Sequence, residues 1–163
     1  MSIKRVENKY IFNINSKQKV INKILSKGYK EIYSERQINS IYFDTLDYKS
    51  YTDSIEGNIP RKKFRVRSYD NFNSNFNFEI KEVNEYGRFK FSKKIVEIPN
   101  EITDNIYQII YPVIEIEYKR LYFSDDQIRL TLDFNIKYRS LVSDTKYDTS
   151  DLILESKLSD GVQ

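Results

Sequence analysis

The 163-residue chain contains no cysteine, no histidine, no tryptophan and no alanine. Without cysteine there is no disulfide, no thiolate metal site and no thiol nucleophile. Without histidine, zinc sites built on imidazole and Ser-His or Cys-His catalytic pairs are excluded. Any metal must therefore be held by oxygen, which points to Mg²⁺, Mn²⁺ or Ca²⁺. The missing alanine, set against abundant Ile, Tyr, Phe, Asn and Val, disfavours helices and favours strands. Apolar runs are short as well. None approaches the ~20 residues a membrane helix needs, and MSIKRVENKYIF lacks the apolar core of a signal peptide. A cytoplasmic chain with no membrane segment is the expectation. The net charge of +3 excludes a polycation but not a local basic site.

What is present is alternation. Residues 4–14 place Tyr10, Phe12 and Ile14 on one face and Arg5, Glu7 and Lys9 on the other, the period of a strand. SKQKVINKILSKGYK follows, with Ser16 as N-cap, a Val20, Ile21, Ile24 and Leu25 stripe, and Gly28 as terminator, which predicts a helix. Strands are predicted at 40–45, 61–69, 75–83, 87–98, 113–123, 128–140 and 151–158. A loop containing Gly57 and Pro60 and a second helix over about 101–110 lie between them. Such a series of about eight strands with short polar connections points to an antiparallel sheet or barrel.

The polar faces of these strands are ionic. Glu7 shares a face with Lys9, Arg65 with Arg67, Glu79 with Lys81, Arg88 with Lys90, Arg129 with Asp133, and Glu155 with Lys157, because side chains two apart on a strand point the same way. A solvated face accounts for any one strand taken alone. The opposite faces, however, are strongly apolar and need cover. If helices cover them from outside, the charged faces line the inside of a closed sheet, and about eight strands leave room for a small ligand. Arginine forks and lysine ammoniums suit phosphate oxygens. The expected fold is thus α+β, mainly antiparallel β: a closed eight-stranded, tunnel-like barrel with a charged interior and a few flanking helices. Tyr and Phe sit mostly on the faces opposite the bases, so nucleic acid is not the expected partner.

The segments RVENKYIF, SIYFDTLDYKSY, FRVRSY, Glu-Ile-Lys at 79–81, GRFKFSK, YKRLYF, IRLTLD and LILESK, in this order, resemble the VTC domain of polyphosphate polymerases. That family lies within the triphosphate tunnel metalloenzymes, together with CYTH-type triphosphatases. The resemblance implies one domain over 1–163 that lacks the usual C-terminal helix after Lys157. It implies that Lys9, Arg65, Arg67, Lys81, Lys90 and Arg120 bind phosphates, with Arg65, Arg67 and Lys81 at catalytic positions. Arg88 and Arg129 join the phosphate-binding set. Glu155 is the implied metal ligand, with Glu7 beside it, for Mn²⁺ or Mg²⁺. Tyr42, Asp44 and Tyr69 serve either site or scaffold. Simple alternation puts Arg120 with Ile114, Ile116 and Tyr118, so its place in the site requires a bulge or fails. The implied ligands are ATP, triphosphate or polyphosphate. The implied activity is polyphosphate synthesis from ATP, with inorganic triphosphatase or non-catalytic polyphosphate or nucleotide binding as alternatives.

Overall fold

The computed structural model describes residues 7–70 and 75–158. The start of the first predicted strand, including Arg5, lies outside the described residues. The strands are β1 (Glu7–Asn13), β2 (Lys30–Asp44), β3 (Arg61–Tyr69), β4 (Phe76–Asn84), β5 (Gly87–Ile95), β6 (Ile102–Asp104), β7 (Gln108–Ser124), β8 (Ile128–Ser140), β9 (Lys146–Asp148) and β10 (Asp151–Leu158). Two α-helices accompany them, α1 (Lys17–Ser26) and α2 (Lys49–Glu56).

The strands pair in the order β1-β10-β8-β7-β2-β3-β4-β5, with β6 on β7 and β9 on β8. This corrects the closed barrel. The path has two ends, and among the described residues no ladder joins β1 to β5. Both end strands are exposed along most of their length. β5 carries Lys90, Lys93 and Lys94, a charge pattern that discourages further pairing at an edge. Alternation is the same in an open and a closed sheet, so it cannot report closure.

Two further expectations are corrected. Residues 101–110 form a β-hairpin, not a helix. Asp104 Oδ1 accepts from the backbone N–H groups of Ile106 at 2.8 Å and Tyr107 at 3.2 Å, folding the turn between β6 and β7. Residues 49–56, within the predicted loop, are helical instead. The buried Asp44 carboxylate caps α2 from outside it, accepting from Ser50 N–H at 2.8 Å and Tyr51 N–H at 2.9 Å. Gly57, at φ 77°, ends the helix in the left-handed conformation. Ser50 Oγ donates to the Lys62 carbonyl at 2.6 Å and ties α2 to β3. Asp44 is thereby a scaffold residue. Asp44→Ala is expected to lower stability by about 1–2 kcal/mol, read as a lower urea midpoint. An unchanged midpoint would mean that other contacts hold α2.

The chain gathers into two compact units. The first comprises Met1–Gln37, Tyr118–Lys137 and Asp148–Gln163. Its core sets Phe123, Leu130, Leu132, Phe134 and Leu152 against Ile24, with Val20 and Ile21 of α1 packed on them. The helical stripe read from the sequence is therefore the cover for this apolar face. The second unit comprises Ile38–Glu117 and Tyr138–Tyr147. Its core joins Ile41, Phe43, Phe64, Val66 and Phe76 to Tyr107 and Ile110. Here the cover is Ile95, Ile98, Ile102 and Ile106 rather than a helix.

Candidate functional site

In the second unit the strand register stacks the polar residues of β2 to β5 in rungs. Tyr42 opposes Arg65, which opposes Glu79, which opposes Ser92. On one side the next rung is Ser40, Arg67, Asn77 and Lys94; on the other it is Lys63, Lys81 and Lys90. Arg61, Val83 and Arg88 follow. Opposed residues share a face, and successive rungs are roughly 7 Å apart. The face so defined carries eight bases (Arg61, Lys63, Arg65, Arg67, Lys81, Arg88, Lys90 and Lys94) and one acid, Glu79.

Glu79 is the pivot of this face. It is 5% exposed. Its Oε2 accepts from Arg65 Nε at 2.6 Å and also contacts Arg65 Nη2, while Oε1 accepts from Lys90 Nζ at 2.9 Å. Burial pushes the carboxyl up, but the charges and hydrogen bonds of Arg65 and Lys90 outweigh it and bring it down to about 2. Arg65 also donates through Nη1 to the Tyr42 hydroxyl at 3.2 Å. Burial raises the Tyr42 phenol, yet Arg65, Arg67 and Lys81 together pull it below the ordinary tyrosine value. Arg67 is buried and donates from Nε to Ser40 Oγ at 3.2 Å. Burial thus fades along the face, from Arg67 and Glu79 inward to Lys81, Arg88 and Lys90, which are exposed. Rows of like charge repel. On these rungs the bases outnumber the one acid, a charge balance that favours anions.

In the first unit the face opposite the core carries a second ionic cluster. Lys9 opposes Glu155, and Glu155 opposes Thr131; Glu7 opposes Lys157, and Lys157 opposes Arg129. Glu155 is buried, with Lys157 Nζ in contact with Oε1 and Lys9 Nζ 4.0 Å from Oε2. Lys157 also lies 3.6 Å from Glu7, and Lys9 lies 3.8 Å from it. Burial raises the Glu155 carboxyl, but contact with Glu7 and the two lysines brings it down to about 2.

Arg120 belongs to this face. Leu121 and Phe123 of β7 pack with the core, which turns Arg120 to the other side. There it forks onto Asp133, Nε to Oδ1 at 2.5 Å and Nη2 to Oδ2 at 2.6 Å. Burial lowers the Arg120 pKa, but the hydrogen bonds and charge of Asp133 raise it above the ordinary arginine value.

The candidate residues therefore sort into two groups. Arg65, Arg67, Lys81, Arg88 and Lys90 share the face in the second unit. Glu7, Lys9, Arg120, Arg129 and Glu155 share the face in the first. Glu79, Arg61, Lys63 and Lys94 are parts of the basic face that the candidate set left out. Glu79 showed in the sequence as the acid of the Glu-x-Lys pair, but what makes it the pivot is its position opposite Arg65. The register, which the sequence does not display, supplies that position. Tyr69 is exposed and ends β3.

For a metal, the chemistry of the first-unit donors fits. Two carboxylates, Glu7 and Glu155, lie together, and the buried Glu155 Oε1 is in salt-bridge contact with the Lys157 ammonium. An all-oxygen set suits a hard divalent cation. Among the described residues no three acidic side chains gather in one place, so neutral oxygens would have to complete the shell. No helix among the described residues is long and apolar enough to cross a membrane.

The fold is similar to that of solved proteins. One is a candidate adenylate cyclase from Vibrio parahaemolyticus, with TM-score 0.59 and 13% identity over 98% of this chain and 78% of that one. Another is PH1819 from Pyrococcus horikoshii, with TM-score 0.54 and 14% identity over 98% of this chain and 80% of that one. A third is HpAC1 from Hippeastrum, described with a dominant triphosphatase activity, with TM-score 0.51 and 12% identity over 96% of this chain and 80% of that one. At such identities the likeness shows the fold alone. No curated protein matches the sequence. The model of the VTC domain family matches residues 4–106, a span that takes in β1 through β6 and the whole basic face of the second unit. The chain belongs to the VTC domain family.

Proposed function

We propose that the chain binds linear phosphate chains and carries out metal-assisted phosphoryl transfer, building polyphosphate from ATP. The observation that carries this reading is the face of eight bases around one buried acid. Its rungs repeat every ~7 Å, a spacing that suits a flexible polyanion running along the strands. Membership of the VTC domain family supports the substrate class.

The protein need supply no nucleophile. A terminal phosphate oxygen of the growing chain attacks the γ-phosphorus of ATP; the bond to the β-γ bridging oxygen breaks, and ADP leaves. Arg65 is held by Glu79 and Tyr42 in one orientation, so the N–H bonds left on its two Nη groups meet phosphate oxygens without reordering. Arg67 is fixed in the same way by Ser40. Lys81, Arg88 and Lys90 add exposed charge along the polyanion's path on the second unit; Lys9 and Arg129 offer positive charge on the first unit's own face. Glu155 and Glu7 would hold Mn²⁺ or Mg²⁺, which supplies charge neutralisation at the phosphates when bound.

Hydrolysis of inorganic triphosphate is the second reading, favoured by the triphosphatase activity described for the Hippeastrum protein. Binding without turnover is the third. Incubation with ATP and Mn²⁺, followed by chain-length analysis, separates them. Chain growth supports polymerisation, phosphate release from triphosphate without growth selects hydrolysis, and tight binding without product selects a binding module. Arg65→Ala is expected to lower the rate about 100-fold or more, and Glu155→Ala to remove the metal dependence. Rates unchanged in both variants would overturn the proposal.

A further inference from the structure

The ionic face of the first unit holds two buried oxygens without a hydrogen bond, Glu155 Oε1 and Thr131 Oγ1. Glu155 is 8% exposed. The two residues oppose each other directly across β10 and β8, which sets their Cβ atoms roughly 4.5–5.5 Å apart. Thr131 Oγ1 has no partner and carries an uncompensated desolvation penalty. Glu155 Oε1 beside it is in salt-bridge contact with the Lys157 ammonium, so the unmet oxygen on this rung is that of Thr131.

At that position Glu155 and Glu7 are interleaved with Lys9, Lys157 and Arg129, so a cation bound by the carboxylates would take the place of an ammonium. The Lys157 ammonium already touches Oε1 and reaches toward Glu7. The Lys157 side chain is half exposed, at 49%, and can swing away on its flexible stem. A hard divalent cation prefers oxygen donors and tolerates neutral ones beside carboxylates. With two carboxylates together and no third among the described residues, a neutral donor is what the site lacks.

We infer that Thr131 Oγ1 is a further donor to the divalent cation held by Glu155. This rests on the reading that Glu155 is a metal ligand. The hydroxyl turns its proton away from the cation and offers a lone pair. It thereby adds an oxygen without adding charge, and the Lys157 ammonium is displaced toward Glu7 and solvent.

The test is titration of Mn²⁺ alone into the full chain, followed by calorimetry and by thermal unfolding. Thr131→Val keeps the shape and removes the oxygen, whereas Thr131→Ser keeps the oxygen. The Val variant is expected to bind Mn²⁺ about tenfold more weakly, and the Ser variant to bind near the wild-type level. Without metal, the Val variant should unfold at the wild-type temperature or above it, because a buried unpaired hydroxyl is gone. Its Mn²⁺-induced rise in unfolding temperature should shrink. Should Thr131→Val not fold, Thr131→Ala against Thr131→Ser makes the same comparison. Equal Mn²⁺ affinity with and without the hydroxyl overturns the role of Thr131 and leaves Glu155 as ligand. If Glu155→Gln also binds Mn²⁺ as the wild type does, the metal reading of this face falls as well.

Discussion

Glu79→Gln is expected to destabilise the protein by about 3 kcal/mol at pH 7. The substitution keeps the size of the side chain and removes its charge. Arg65 and Lys90 then lose the one carboxylate they share, on rungs whose other charged residues are all bases. Breaking a buried pair from one side strands the other charge, which is why the effect is large. The pH dependence has a defined sign. The folded-state pKa of Glu79 lies at about 2, below its ordinary value of 4.5. Its contribution is therefore fully present above about pH 4.5 and is lost as pH falls toward 2. Urea unfolding of wild type and variant should give curves that differ most at neutral pH and converge in acid. A variant as stable as the wild type at pH 7 would show that Glu79 is no pivot. Added triphosphate should narrow the difference at neutral pH, since it supplies the missing negative charge to the same cations.

The second large effect lies at Arg120 and Asp133. Both side chains are mostly buried, at 16% and 12% exposure, and they are joined by two hydrogen bonds. Asp133→Asn or Arg120→Met alone is expected to lose about 3–5 kcal/mol. The double variant Arg120→Met/Asp133→Leu should recover much of that, because no charge is left stranded. This cycle also separates two roles for Arg120. A fork committed to Asp133 has little left for phosphate, so Arg120→Met should act on stability more than on affinity for triphosphate. If affinity collapses while the urea midpoint holds, Arg120 is a phosphate ligand and the Asp133 pair is secondary.

The elements most legible in the sequence were those whose pattern is local. β3 and β8 match their predicted spans because apolar residues recur at every second position through much of each, Phe64 and Val66 in β3 and Ile128 to Ile136 in β8. α1 was legible from its stripe and its glycine. β2 was legible only over its second half. Its first half, Lys30–Gln37, is polar or exposed on both sides and shows no alternation. α2 was hidden because its cap comes from Asp44, six and seven residues before the N–H groups it accepts from. The 101–110 segment, expected to be helical after Pro99, is a hairpin in spite of Ile102, Ile106 and Ile110 recurring every four residues. In the fold, Ile102 and Ile110 face each other across a hairpin. The charged faces were legible from spacing alone. Their internal logic was not, because which base meets which acid depends on register: Arg65 against Glu79, Thr131 against Glu155. Whether the sheet closes was beyond the sequence for the same reason.

That the sheet ends in β5 gives its lysines a second task. Lys90 and Lys94 belong to the basic face, and Lys93 points to the other side beside the half-exposed Phe89 and Phe91. An edge strand with unpaired backbone groups and bare aromatic rings is an invitation to a neighbouring molecule's strand, and rows of lysine are a common deterrent. Removing these charges would therefore weaken colloidal behaviour as well as anion affinity. The residues that attract a polyanion also keep copies of the protein apart, and a bound polyanion that masks them would bring those copies closer to self-association.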